Sequence, residues 1–156
     1  MNGIITYGSL LNLDELEGLY DNFEVFKVRV YGFRRHCGQE STFRKTDEYD
    51  AVLTVEPDEE SWFNGLLITG FSDGEFEAYL DRESGYSIER VDGSDIGFYE
   101  EYGIDLGEFE EIVVPIGEME LENPNPVPEY IELCTVGAFE HGSQFGRDFV
   151  LTTDWS

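Results

Sequence analysis

Six short strands are predicted from the pattern of hydrophobic and polar positions. The first, Ile4 to Tyr7, runs into a tight turn at Gly8 and Ser9. The segment from Phe23 to Phe33 is β-branched and aromatic with rough alternation, which is typical of a strand. The other four are predicted in the apolar runs "AVLTVEP", "WFNGLLITG", "YSIERV" and "EIVVPI".

Helix start signals lie between some of these strands. Asn12 followed by Glu15 resembles a capping box for a short helix over "LDELEGLY". A second capping box, Ser72 with Glu75, precedes a helix whose apolar stripe repeats at i, i+3 and i+4. That stripe consists of Phe76, Tyr79 and Leu80.

The carboxy-terminal part of the chain is predicted to be helical. Prolines in "NPNPVPEY" lead into a helix over residues 129–140 that ends at Gly142, and a shorter helix covers residues 145–151. The segment "DGSDIGFYEEYGIDLGEFEE", rich in glycine and acids, is predicted to be a surface excursion. The order of elements predicts one α+β domain over residues 1–156, with a mixed, strongly curved sheet of about six strands and helices packed outside.

The net charge of −26 argues against binding to nucleic acid or to anionic membranes. It arises from 35 Asp and Glu against 9 Lys and Arg, and the acids are spread from end to end. Such a chain repels nucleic acid and anionic membranes, so neither is an expected partner. Hydrophobic and aromatic contents of 40% and 15% argue against disorder. A salt-rich cytoplasm, as in haloarchaea, is the favoured setting, and a generic acidic surface is the alternative.

Signals for export and for metal binding are absent from the sequence. The start "MNGIITYGSLL" lacks a basic region and a long apolar core, and no run approaches a membrane span, so a cytoplasmic protein is expected. Cys37 and Cys134 lie far apart and fit no metal spacing, which favours two unpaired thiols. The carboxylates lack the spacing of an EF-hand loop, and no metal is expected.

Several segments, taken in order, resemble the γ-glutamylcyclotransferase family. "YGSLLNLDEL" is similar to its amino-terminal loop and helix, "VYGFRR" to one strand, and "AVLTVEPDEESWFNGLLI" to two strands joined by a turn. "EFEAYLDRESGYSIERV" resembles the helix, catalytic glutamate and Gly-Tyr turn, and "VPEYIELCTVGAFEHG" the carboxy-terminal helix. The acidic segment at residues 93–111 is the main unmatched part. With the charge, the resemblance indicates a member from a halophilic archaeon or a haloarchaeal virus.

The resemblance implies a compact mixed β-barrel with flanking helices and a reaction on a small γ-glutamyl substrate. A γ-glutamyl amide or peptide is cut by its own α-amino group, which gives 5-oxoproline and a free amine or amino acid. Neither a metal nor an organic cofactor is needed. The alternative is a non-catalytic binding or structural protein that retains the fold. The sequence specifies neither the leaving group nor the oligomeric state.

Glu83 matches the family's catalytic glutamate in the setting "RESGY". A carboxylate there can accept the proton of the substrate's α-ammonium group and later deliver it to the departing amine. In so acidic a chain, the alternative is an ordinary solvated glutamate. If Glu83 is the general acid/base, we expect it to share one cavity with the Gly8-Ser9-Leu10 backbone.

The remaining candidate residues match the family's substrate-binding positions. Consecutive N–H groups in a tight turn form an anion-binding nest suited to the substrate's α-carboxylate, and an ordinary strand-to-helix turn is the alternative. Tyr7 either lines the pocket or is a core aromatic. Arg34 and Arg35 could hold a substrate carboxylate, although internal ion pairs are favoured in this chain. The candidate substrate-binding residues are Tyr7, Gly8, Ser9, Leu10, Tyr86 and Tyr130.

We expect the protein to be more stable in concentrated salt. Added cations screen the repulsion among exposed carboxylates, so the midpoint of thermal unfolding should be higher in molar KCl than in dilute buffer. Melts followed by circular dichroism in both solutions measure this difference, and equal midpoints would contradict the halophilic interpretation.

Overall fold

Two long strands carry most of the sheet. In the computed structural model, which describes residues 1–18, 22–41, 44–82, 86–117 and 121–155, strand β2 spans Glu24–Glu40 and strand β3 spans Ala51–Thr69. The two strands pair antiparallel along their whole length, with two shifts of register. Register shifts of this kind increase the local twist of a sheet.

Shorter strands extend this pair to a seven-stranded mixed sheet. They are β1 (Asn2–Thr6), β4 (Tyr86–Arg90), β5 (Ile96–Phe98), β6 (Glu111–Gly117) and β7 (Thr153–Asp154). The strand order is β4-β6-β1-β3-β2-β5, and β7 pairs with β2. The β1–β6 and β2–β7 pairs are parallel, and the others are antiparallel. Strand β1 therefore lies inside the sheet, between β6 and β3.

Four α-helices are present in the described part of the chain. They are α1 (Leu13–Glu17), α2 (Asp73–Arg82), α3 (Pro128–Glu140) and α4 (Ser143–Thr152). Short 3-10 helices cover Ser9–Leu11, Gly93–Asp95 and Leu106–Glu108. Gly142, at φ 116°, makes the turn between α3 and α4 in a backbone conformation that favours glycine. Within the described ranges, no helix combines the length and apolar character that crossing a membrane requires.

The predicted α+β class is confirmed, with two differences in the sheet. The described part of the chain forms seven strands rather than about six. Among the described residues, no pairing joins the edge strands β4 and β5, so the sheet is open rather than a closed barrel. The additional strands, β5 and β7, are too short to have produced a recognisable alternation in the sequence.

The strands predicted as "AVLTVEP" and "WFNGLLITG" form one continuous strand, β3, and the predicted turn between them was wrong. β2 likewise continues past Phe33 to Glu40. The register changes at this place: Tyr31 pairs with Trp62, whereas Phe33 pairs with Pro57. A strand irregularity tolerates proline, which cannot donate a ladder hydrogen bond, so the polar residues here signalled a bulge and not a turn.

The acidic segment at residues 93–111, predicted as a surface excursion, exposes most of its acids but also contributes to the sheet, which was not predicted. Strand β5 lies within it and pairs with β2, with Phe98 opposite Val28. The Tyr102 hydroxyl also accepts a hydrogen bond from Lys27 N at 3.2 Å. Ile96 belongs to the main core, and the partly buried residues of this segment that pack against it are Phe98, Tyr99, Tyr102, Ile104, Leu106 and Phe109. Its apolar side chains cover the sheet, while the acids between them remain in solvent.

The predicted helix starts and free thiols are largely confirmed. Ser72 and Glu75 form a reciprocal capping box. Ser72 N donates to Glu75 Oε1 at 3.0 Å, and Glu75 N donates to Ser72 Oγ at 3.1 Å. The Asn12 side chain caps α1 by accepting from Asp14 N at 3.0 Å. Cys37 and Cys134 are both buried and unpaired, and burial raises the pKa of each thiol to about 12.

Glycine at position 137 lets α3 approach the loop after β1. A Cβ built on Gly137 would lie 2.7 Å from Asn12 N, closer than real side chains come to backbone. His141, which directly follows α3, makes a second contact with this loop: its Nε2 lies 2.7 Å from Leu11 O. Helix α3 therefore holds the backbone of this loop in place.

We expect Gly137→Ala to lower the free energy of unfolding by about 1–3 kcal/mol, because the added methyl group presses against backbone that cannot rotate away. Gly74→Ala is the matched control, since a Cβ there has only an ordinary 3.8 Å contact with Ser72 Oγ. The control should keep its stability or gain up to about 1 kcal/mol from reduced chain entropy. Urea unfolding at fixed salt measures both, and equal effects would contradict the close approach.

Candidate functional site

A cavity of about 160 Å³ lies where β1 ends. The loop after β1 forms one wall, and the other walls come from β3, β6, the end of α2, the start of β4, and α3. The lining residues are Thr6, Tyr7, Gly8, Ser9, Leu10, Leu53, Tyr79, Tyr86, Pro115 and Tyr130. All six candidate substrate-binding residues are among them, so the structure brings together positions that are far apart in the sequence.

The loop wall is a 3-10 turn that directly follows β1. Leu11 N donates to Gly8 O and Asn12 N donates to Ser9 O, both at 3.0 Å. The first N–H groups of such a turn, those of Ser9 and Leu10, receive no partner from the turn itself. Ser9 and Leu10 both line the cavity, and the interpretation of this turn as an anion-binding nest stays a prediction.

Tyr130 of α3 packs against this loop at Gly8. The hydroxyl oxygen accepts a hydrogen bond from Leu53 N at 3.3 Å. A Cβ built on Gly8 would lie 2.5 Å from the same oxygen, so the loop and the hydroxyl fit only because position 8 is glycine. Burial raises the pKa of Tyr130 well above its usual range, and the phenol stays protonated at neutral pH.

Tyr7 belongs both to the core and to the cavity. Its ring packs edge-on against Phe63 with centroids 5.9 Å apart, and its hydroxyl donates to Pro115 O at 2.6 Å. That hydrogen bond ties the end of β1 to β6. The two alternatives for Tyr7, pocket residue and core aromatic, therefore describe the same side chain.

Two arginines bring positive charge near the cavity of a protein whose net charge is −26. Arg35 is fully buried and its Nη1 donates to Tyr7 O at 3.4 Å. Burial lowers the pKa of Arg35 to about 9, which leaves it cationic at pH 7. The guanidinium of Arg44 lies 5.6 Å from the centre of the Tyr130 ring, and it is 3.7 Å from Glu15 Oε1.

The two adjacent arginines of the "VYGFRR" segment have different roles. Arg34 forms the expected internal ion pairs, with Nε donating to Glu56 Oε1 at 3.1 Å and Nη1 donating to Asp154. Arg35 does not, because its hydrogen bonds within the described chain go to carbonyl, hydroxyl and amide oxygens. The expectation of an ion pair was therefore wrong for Arg35. Arg35 is fully buried and contacts the site through the Tyr7 carbonyl.

Glu83, the candidate general acid/base, lies outside the described residues, and its predicted position in the cavity stays a prediction. The described chain stops at Arg82, the end of α2, and resumes at Tyr86, the start of β4. Tyr79 and Tyr86, on either side of this gap, both line the cavity.

Four lining residues were not predicted from the sequence: Thr6, Leu53, Tyr79 and Pro115. Thr6 directly precedes the Tyr7-Gly8-Ser9 motif and could have been found by adjacency. Tyr79 was assigned to the apolar stripe of α2, which is also correct, because it is buried against the sheet. Leu53 and Pro115 carry no local signal, since only the pairing of distant strands brings them to the end of β1.

The contact between Gly8 and Tyr130 predicts an energetic coupling. Gly8→Ala should lower the free energy of unfolding by about 1–3 kcal/mol in the wild-type background, because the new methyl group meets the Tyr130 hydroxyl. In a Tyr130→Phe background that oxygen is gone, and the same substitution should cost at least about 0.5 kcal/mol less. A double-mutant cycle by urea unfolding measures the coupling, and additive effects would show that the two residues are not in contact.

No protein-family profile and no curated protein matches the chain. Solved structures do share its fold. One is a γ-glutamyl cyclotransferase, with a TM-score of 0.67 and 16% identity over 99% of this chain and 88% of that one. A yeast γ-glutamyl cyclotransferase specific to glutathione has a TM-score of 0.65 and 14% identity, covering 96% and 94%.

An uncharacterised human protein shares the fold as well, with a TM-score of 0.70 and 14% identity over 99% of this chain and 88% of that one. At such identities the likeness establishes the fold and not the activity. The chain has a γ-glutamylcyclotransferase-like fold.

Proposed function

We propose that the protein is a γ-glutamylcyclotransferase-like enzyme. It would convert a γ-glutamyl amide or peptide to 5-oxoproline and a free amine or amino acid. The observation that carries this proposal is the cavity at the end of β1, since all six candidate substrate-binding residues line it. The fold shared with solved γ-glutamyl cyclotransferases supports it further.

The size of the cavity suits a small ligand group. Its volume of about 160 Å³ is below the range of about 300–1,000 Å³ that drug-sized ligands occupy. A γ-glutamyl group is small enough for such a space, and its leaving group would extend outward. Confinement would bring the α-amine against the γ-carbonyl, which is a proximity effect worth several kcal/mol.

The charges of the ligand have counterparts around the cavity. The α-carboxylate would bind the backbone N–H groups of Ser9 and Leu10, in a region where Arg35 and Arg44 offset the negative surface. The neutral Tyr130 hydroxyl adds a polar group without adding negative charge. The loop therefore suits the anionic end of a γ-glutamyl compound.

In the reaction, the α-amine nitrogen bonds to the γ-carbonyl carbon and the amide C–N bond breaks. Glu83 would take the proton from the α-ammonium group, which frees its lone pair, and later give that proton to the departing nitrogen. This assignment is supported by Tyr79 and Tyr86, which precede and follow Glu83 in the sequence and both line the cavity.

The test is release of 5-oxoproline from γ-glutamyl dipeptides, glutathione and γ-glutamyl amines in molar KCl. We expect Glu83→Gln to lower the rate about 10²- to 10⁴-fold, or about 3 to 5 kcal/mol of barrier, because glutamine cannot accept the proton. The control is Glu89→Gln in β4, an exposed glutamate with no proposed role, which should change the rate less than about twofold.

Two results would count against the proposal in different ways. Equal turnover by wild type and Glu83→Gln would mean that the base is misassigned. Binding of γ-glutamyl compounds without any release of 5-oxoproline would favour the alternative, a non-catalytic binding protein that retains the fold.

A further inference from the structure

The exposed large hydrophobic side chains are concentrated on the carboxy-terminal helix pair. Of seven such residues in the described part of the chain, five lie on α3, on α4 or just after α4, and Met1 and Tyr31 lie elsewhere. Single exposed apolar residues are normal on a protein surface, whereas a cluster marks an interaction site. The five residues, which we call the α3–α4 patch, are Val136, Phe139, Val150, Leu151 and Trp155.

Contacts between the two helices join these residues into one surface. A Cβ built on Gly146 would overlap the Phe139 ring, so this ring of α3 lies directly on α4. Val150 lies one turn beyond Gly146 on the same side of α4, and it directly precedes Leu151. Val136 lies one turn before Phe139 on α3. Trp155 Nε1 donates to Val150 O at 3.1 Å, which places the indole beside the end of α4.

Arg147 borders the patch and has no acidic partner among the described residues. It is exposed, it lies one turn before Leu151 on α4, and its Nη2 donates to Gln144 Oε1 at 3.3 Å. Each other lysine and arginine whose side chain is described forms an ion pair, apart from the fully buried Arg35. In a chain with 35 acids, this leaves one exposed cation of the described surface available to a carboxylate from outside.

Helix α3 provides the opposite charge on the other border of the patch. Glu132 and Glu140 are exposed, and they lie four residues before and four residues after Val136, on the same side of α3. The surface therefore has an apolar centre, a cation on α4 and carboxylates on α3. Aromatic residues and arginine at such a centre and its border are typical of protein–protein interfaces.

We propose that the α3–α4 patch is the interface of a homodimer, in which it packs against the same patch of a second copy. In a two-fold symmetric interface the same surface serves both partners, so it must carry both signs of charge. Arg147 of each copy would face Glu132 or Glu140 of the other. A basic partner protein would instead be drawn to the acidic surface elsewhere and repelled by Arg147. This inference does not depend on the proposed function, because no patch residue lines the described cavity.

The net charge makes this association dependent on salt. Each copy carries a charge of −26, so two copies repel each other in dilute buffer. Added KCl screens that long-range repulsion, whereas apolar contacts persist in salt. The dimer should therefore form in molar KCl, with a Kd that rises at least about tenfold in dilute buffer.

The test is sedimentation equilibrium in molar KCl at protein concentrations up to about 200 µM, well above the Kd of a specific interface. Wild type should have the mass of two chains. Leu151→Glu should raise the Kd at least about tenfold, because it places an unpaired carboxylate in an apolar contact. The matched control is Ala78→Glu, which adds the same charge at an exposed position of α2 and should keep the Kd within about threefold.

A charge exchange tests the proposed pairing. Arg147→Glu should raise the Kd at least about tenfold, because like charges then meet across the interface. Adding Glu132→Arg or Glu140→Arg brings opposite charges together again, and one of the two double variants should recover at least about threefold in Kd. Failure of both double variants to recover would overturn the pairing of Arg147 with α3.

The remaining outcomes decide the proposal itself. Wild type that stays monomeric in molar KCl overturns it and would assign the patch to a different partner. A dimer that tolerates Leu151→Glu, or that is weakened equally by Ala78→Glu, also overturns it. Leu151 is 80% exposed, so its substitution should leave folding intact. Melts of the dilute, monomeric proteins followed by circular dichroism should therefore give equal midpoints for wild type and Leu151→Glu, which separates lost association from lost folding.

Discussion

Arg35 is fully buried, and its guanidinium is held by neutral oxygens from several parts of the chain. Removing a charge from water costs several kcal/mol, which hydrogen bonds must offset. The centre of the Phe149 ring lies 4.3 Å from the guanidinium carbon, and this cation–π contact further stabilises the buried charge. The acceptors, at 2.6–3.4 Å, are Tyr7 O, Asn64 O and Oδ1, Phe149 O, Thr152 Oγ1 and Thr153 Oγ1. The end of β1, together with β3, α4 and β7, must therefore meet around β2.

This constraint reaches the candidate site through the Tyr7 carbonyl. The loop that follows Tyr7 is held from one side by Arg35 and from the other by α3, which approaches it closely at Gly137. The Tyr130 hydroxyl, on the same helix, then fixes how near Gly8 can come. A loop held in this way keeps one backbone conformation, which is what a preorganised binding site requires.

The acidic surface has a different physical basis from the site. Its ion pairs include Lys27 with Glu100 at 3.3 Å and Arg90 with Glu111 at 3.1 Å, and exposed pairs of this kind contribute little stability. The chain has 35 Asp and Glu residues but only 9 Lys and Arg residues, so most carboxylates cannot form an ion pair with a basic side chain. Arg35 and Arg44 bring positive charge near the cavity, and Arg44 also pairs with Glu15 at 3.7 Å.

Local patterns in the sequence were sufficient to predict the α+β class, the capping box at Ser72 and the tight turn after β1. Each of these depends on residues close together in the chain, where alternation, helix caps and turn residues act directly on the backbone. The family resemblance placed Gly8, Ser9 and Leu10 in a binding loop; these residues line the cavity, and their role stays a prediction. The position of Glu83 lies outside the described residues, so its role stays a prediction.

Other features followed from pairing between distant segments. The register of β2 against β3 joined two predicted strands into one, and the acidic segment at residues 93–111 packed its aromatic side chains on the sheet. Leu53 and Pro115 reached the cavity, and Arg35 found neutral partners rather than an acid. A periodic pattern states which face of a strand is buried, but it does not state what that face will meet. Those contacts depend on how segments far apart in the chain pack together, and the partners of a buried polar group therefore appear only in the folded structure.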